Sequence, residues 1–196
     1  MGNLLVDVRP FTNYQILSES RSGGPGKFMV EGLMQVADDI NGNGRVYPKK
    51  ILEREVQKFK DTFIANKNPF GELDHPESPI VSVKNVSHAI VDLWWEGNNV
   101  MGRIEVLNTP QGNIVKEILK AGYSIGVSSR GTGSVTEEDD RVIVNDDFDL
   151  VTWDFVSNPS VQGAFQKRVG LNESLQSSVN QRYMKLNTIL NDFLRN

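Results

Sequence analysis

The sequence predicts an α+β domain built around an antiparallel sheet or barrel. Three observations predict it: several strand-like runs follow one another, only a few segments with helical spacing interrupt them, and two apolar runs flank EGNN as a hairpin would. No internal repeat is visible. The first element of the body is FMVEGLMQVADDI from Phe28, which reads as a strand. NGNGRVYP after it is a turn cluster closed by Pro48, a residue suited to the first turn of a helix. From Lys49 to about residue 66, Ile51, Leu52, Val56, Phe59 and Phe63 recur at helical spacing among charged residues. The loop-like FGELDHPESP leads into VSHAIVDLWWEGNNVMGRIEVL, the predicted hairpin. TPQGNIVKEILKAG is predicted helical, with Ile114, Ile118 and Leu119 on its apolar stripe and Gly122 as its stop. GVSSRGTGS then reads as a strand running into a glycine-rich turn, TEEDD as an acidic turn and RVIV as a short strand. FDLVTWDFVSNPS is a longer strand broken at Pro159, and Leu175 to Leu194 is a plausible amphipathic helix.

Residues 18–27, SESRSGGPGK, are rich in Ser, Gly and Pro and predict a linker. The expected organisation is an arm and linker over 1–27, a main domain over 28–173 and a terminal helix over 174–196.

The 196 residues carry a net charge of −4, so nothing in the composition suggests the basic face that nucleic acid would need. With no cysteine there is no thiol nucleophile and no Cys-ligated metal, and a reducing compartment is expected. No run is long and apolar enough to span a bilayer and the N-terminus lacks a signal-peptide pattern, so an intracellular soluble protein is expected.

Only two histidines are available as a general base, which shortens the search for one. His88, among Val86, Ala89 and Ile90, reads as a buried strand residue satisfied by a hydrogen bond. His75 lies in a loop-like stretch; its neighbour Asp74 is a poor choice to orient it, because adjacent side chains on extended backbone diverge. The spacing of the two histidines is not that of a metal site, and no metal or cofactor is expected. Ser128 and Ser129 are delivered by the run Ile125, Gly126 and Val127, and a serine needs a base within hydrogen-bond reach to act as nucleophile. On an extended strand the two hydroxyls face opposite sides, so only one can meet a given histidine. The glycines do not stand at the spacing of a G-x-S-x-G elbow.

GELDHP, VSHAI, EGNNVMG and GVSSRGTGSV, in this order, resemble the prohead core proteases of T-even-type tailed bacteriophages, over about residues 41 to 160. The resemblance implies the herpesvirus assemblin fold, a mostly antiparallel β-barrel surrounded by helices, and a serine endopeptidase. It places the family histidine on His75 and the nucleophile on Ser128. It also implies a third member on the strand DLVTWDFV, where Asp154 and Asp149 are the candidates and Asp154 is favoured. Arg130 is the candidate for binding a substrate glutamate or for holding an oxyanion loop, with backbone N–H groups from Arg130 through Gly131 to Gly133 as the oxyanion donors. The family's members are made as zymogens and cut scaffold and capsid proteins after a glutamate that follows a hydrophobic residue by two positions. That pattern occurs at Leu17-Ser18-Glu19 before Ser20 and at Leu171-Asn172-Glu173 before Ser174, at both expected domain edges. Ile51-Leu52-Glu53 fits it too, inside the predicted helix.

The implied partners are phage scaffold or core proteins and the major capsid protein as substrates, with no nucleic acid and no membrane. The implied location is the host cytoplasm, inside the prohead, and a homo-oligomer is compatible with the terminal helix. Two other readings compete: a non-catalytic capsid scaffold protein, in which His75 and Ser128 lie far apart, and an unrelated small hydrolase using the same serine.

Overall fold

The computed structural model describes residues 3–10, 26–138 and 141–157. Within them lie ten strands and two α-helices, a mixed α+β fold dominated by strands. The strands are β1 (Asn3–Pro10), β2 (Phe28–Val36), β3 (Arg45–Val46), β4 (Phe70–Glu72), β5 (Val86–Glu96), β6 (Asn99–Val106), β7 (Gly126–Gly133), β8 (Val135–Glu138), β9 (Arg141–Val144) and β10 (Asp149–Val156). They form three sheets, ordered β1-β7-β10, β2-β6-β5-β4 and β3-β9-β8. The implied barrel is therefore not closed among the described residues; an isolated parallel bridge, Leu73 to Phe155, joins the first two sheets where a closed ladder would run. The expected terminal helix over 174–196 and the strand break at Pro159 lie outside the described residues.

The first helix, α1 (Lys49–Phe59), begins directly after Pro48 and continues into a π-helical turn over Lys60–Ile64. Its predicted stripe is buried as expected: Ile51, Leu52, Val56 and Phe59 face the core, with Phe63 packed at its edge. Phe59 meets Trp153 edge-on with ring centroids 5.3 Å apart, seating α1 on β10. Glu55, also buried, accepts from the Leu150 amide at 2.9 Å, and Arg54 donates to the Phe148 carbonyl at 2.8 Å, so the same helix pins the start of β10.

The hairpin forms as predicted, turning at Gly97 with φ 63°. The second helix, α2 (Pro110–Lys120), is capped by Thr109, whose hydroxyl accepts from the Gly112 amide at 3.0 Å and donates to the Val86 carbonyl at 2.6 Å. It stops at Gly122, φ 83°, as predicted. Its buried face is only partly the expected one: Leu119 is buried as predicted and Ile118 half-buried, but Val115 and Lys116 are buried beside them whereas Ile114 is 52% exposed. Gly112 fixes this rotation, since a side chain there would run into the carbonyls of Leu107 and Ser87.

Two further differences bear on the site. The segment read as an arm supplies β1, antiparallel to β7 from Asn3 opposite Gly133 to Pro10 opposite Gly126. And the glycines after Ser129 do not open a turn, because β7 runs on through Gly133 as the central strand of its sheet. Gly131 serves close packing instead: a Cβ there would stand 2.5 Å from the Phe148 ring and 2.7 Å from the Asp149 carbonyl.

Candidate active site

The strand pair β7-β10 has two buried faces of opposite character. Val127 pairs with Phe155 and Ser129 with Trp153 on one face, in contact with the core; Ser128 pairs with Asp154 and Arg130 with Thr152 on the other. A buried polar layer explains why a strand interior reads Ser-Ser-Arg. The Ser129 hydroxyl, on the apolar side, is buried with no hydrogen-bond partner among the described residues.

The polar layer is roofed by β4 and the chain after it. Thr152 donates to the Phe70 carbonyl at 2.8 Å, the Glu72 amide donates to Asp154 Oδ1 at 3.0 Å and the Asp74 amide donates to the Phe155 carbonyl at 2.7 Å. Asp74 has φ 63°, a left-handed conformation that an aspartate tolerates better than most residues, and it turns the chain so that the next residue faces β7. That residue is His75. Its Nδ1 lies 2.9 Å from Asp154 Oδ2, and its Nε2 is hydrogen-bonded to the Ser128 hydroxyl. Because a carboxylate oxygen only accepts, Nδ1 carries the proton and Nε2 presents its lone pair to Ser128.

Asp154 has no exposure, and each of its oxygens takes two donors. Oδ2 accepts from His75 and from Arg130 Nε at 2.8 Å; Oδ1 accepts from the Glu72 amide and from Arg130 Nη2 at 3.2 Å. Burial alone would push its pKa up, but the bonds from His75, Arg130 and Glu72 outweigh it and hold the carboxyl below the ordinary aspartate value. Arg130 also reaches Glu72 Oε2 at 3.3 Å and the Ser78 carbonyl. The Glu72 carboxyl is pushed up by burial, partly offset by its bond from the Ser82 amide and by Arg130.

The structure thus brings His75, Ser128 and Asp154 into one hydrogen-bonded series. Asp149, the other acid considered, is exposed and paired with Lys58 at 2.6 Å. Arg130 stands behind Asp154 with no exposure, its guanidinium directed at two carboxylates and a carbonyl rather than toward a substrate. The backbone N–H groups of Arg130, Gly131 and Thr132 lie between β1 and β10, which pair with β7 on its two edges, so the expected oxyanion donors point along the sheet and not at the Ser128 hydroxyl. Glu72 was missed by the sequence reading; the signal was Arg130 itself, since an arginine inside a strand needs buried anionic partners and GELDHP supplies an acid. Glu19, Ser20, Glu173 and Ser174 lie outside the described residues. Among the described residues no group of three His, Cys, Asp or Glu side chains could hold a metal ion, and no helix is long and apolar enough to cross a membrane.

A hydroxyl, an imidazole and a carboxylate in this order form the arrangement that serine hydrolases use for acyl transfer. The chain belongs to the prohead core protein serine protease family, whose model matches residues 2–176. It is 36% identical over 170 residues to the prohead core protein protease of Enterobacteria phage T4, covering 83% of this chain and 80% of that protein. Its fold is similar to the solved structure of the bacteriophage T4 capsid assembly protease, with a TM-score of 0.75 and 31% identity over 80% of this chain and 98% of the other.

Proposed function

We propose that this chain is a serine endopeptidase of phage prohead maturation that cuts core and capsid proteins after glutamate in a hydrophobic-x-Glu pattern, works inside the prohead and processes itself. The observation that carries the catalytic reading is the series Ser128–His75–Asp154, with the imidazole between the hydroxyl and a saturated carboxylate. His75 Nε2 takes the Ser128 proton as Oγ attacks the carbonyl carbon of the scissile bond. The imidazolium then gives that proton to the leaving amine, and water releases the acyl group by the same route in reverse.

The layer behind His75 favours the charged intermediate. Asp154, held low by Arg130 and accepting the Nδ1–H, sets a carboxylate against the imidazolium that forms as the Ser128 proton is taken. Arg130 is here a positioning residue, fixing Asp154 rather than meeting substrate. Ser128 has no exposure and its hydroxyl is met by the partly exposed imidazole of His75. Glutamate specificity rests on the family resemblance and on Glu19 and Glu173, each followed by serine at an expected domain edge.

Intact mass followed over time tests the proposal, for the wild-type chain beside Ser128→Ala, Ser129→Ala and His75→Ala. Wild type and Ser129→Ala should be cut after Glu19 and Glu173, while the other two stay whole. Processing by Ser128→Ala and not by Ser129→Ala would move the nucleophile by one residue. A chain that is never cut, even with capsid scaffold added, would return the reading to a structural capsid protein.

A further inference from the structure

The second histidine is buried beside this site, and the mechanism above does not use it. His88 has no exposure and sits on β5, with its ring centroid 4.3 Å from that of Phe155. Nε2 lies 3.0 Å from the Trp153 carbonyl and Nδ1 lies 2.8 Å from the Ser87 hydroxyl. A carbonyl only accepts, so Nε2 carries the hydrogen and Nδ1 accepts from Ser87. The two partners together fix one neutral tautomer.

The bond from His88 passes across another strand. β4 lies beside β5, with Gly71 opposite His88, and a Cβ on Gly71 would overlap His88 Nε2, His88 Cε1 and the Trp153 carbonyl at once. The missing side chain of Gly71 is the gap through which the imidazole reaches β10. The carbonyl it reaches belongs to the peptide group whose nitrogen is that of Asp154. β10 pairs with β7 along one edge only, and that ladder is irregular between Leu150 and Thr152. On its other edge β10 is held by single bonds, among them the one from His88.

We propose that His88 is a positioning residue of the active site: through the gap left by Gly71 it anchors the Trp153–Asp154 peptide and so fixes the direction from which Asp154 meets His75. The effect on turnover rests on the function proposed above, whereas the effect on the His75–Asp154 bond does not. Both must therefore be measured.

The bond is read by proton NMR in the Ser128→Ala background, where the chain cannot cut itself through that hydroxyl. With two histidines in the chain, the downfield imidazole N–H signals are assigned by the loss of His88's own. In His88→Leu and Gly71→Ala the His75 Nδ1–H resonance should move upfield or broaden away. In His88→Gln, whose amide can donate to the same carbonyl, it should persist. His88→Asn, polar but too short to reach, gives a second loss variant if leucine prevents folding. In the Ser128 background, cleavage of a peptide carrying the residues around Glu19 should fall about 10- to 100-fold in kcat with KM within about twofold, and His88→Gln should recover most of it. A folded His88→Leu or His88→Asn with an unchanged His75 resonance would overturn the proposal. If the resonance responds as expected while no variant, wild type included, cleaves peptide, the positioning role stands and the peptidase mechanism falls.

Discussion

Four donors converge on Asp154, and Arg130 supplies two of them, so this buried pair is where a single side chain matters most. Arg130→Met would leave both Asp154 and Glu72 buried without their countercharge, a loss of about 3–5 kcal/mol. Arg130→Lys keeps the charge but not the planar fork and should recover only part of it. Urea denaturation in the Ser128→Ala background checks both, and equal stability of Arg130→Met and wild type would refute the role given to the pair. Ser129→Ala is expected to change stability by less than about 0.5 kcal/mol, or to stabilise, because the hydroxyl it removes is buried without a partner among the described residues. At Asp74, φ 63° tolerates glycine but opposes a β-branched residue. Asp74→Val should cost about 1–2 kcal/mol and slow peptide cleavage by displacing His75, while Asp74→Gly should do neither; kinetics and thermal melts of the pair separate them.

At the scale of elements, glycine's meaning depends on where it stands. Gly131→Ala should destabilise by about 1–3 kcal/mol, since β7 would have to back away from the Phe148 ring; a near-neutral result would restore the turn that the sequence suggested. On α2, Leu119→Ala should cost about 2–5 kcal/mol and Ile114→Ala less than about 0.5, whereas burial of the whole predicted stripe would have made both costly. What could be read without coordinates was local. Helical spacing marked α1, EGNN marked the hairpin and Gly122 marked a helix stop, because each depends on residues within a few positions of one another. The order of GELDHP and GVSSRG likewise pointed to the residues that meet in the polar layer. The other features depend on pairing between distant strands. That β7 continues through Gly131 to Gly133, that Arg130 turns inward to two acids and that residues 3–10 join the sheet of Ser128 all follow from register, which no short stretch encodes.

The whole molecule answers to pH through its buried groups, and His88 is the clearest of them. Burial pushes its pKa from 6.5 down to about 4. Between those values the unfolded chain holds a proton that the folded one refuses, so stability is complete above about pH 6.5 and declines as pH falls toward 4. The loss amounts to about 3 kcal/mol. Asp154, held low, adds an acid-side loss only below the ordinary aspartate range, and Glu72, held high, acts in the opposite sense. Comparing urea denaturation at pH 7.5 and 4.5 for Ser128→Ala with and without His88→Gln isolates the histidine: the double variant should lose less. A different consequence follows from β1. Its eight residues pair with β7 from end to end, so hydrolysis after Glu19 would sever the chain without emptying its place in the sheet. Under the processing proposed above, scission and departure would be separate steps, the first chemical and the second a dissociation with its own lifetime. The cut protein should keep the liberated peptide in a native mass spectrum and lose it under denaturing conditions. While β1 holds its place, the edge of β7 beside Ser128 is closed to any other extended segment.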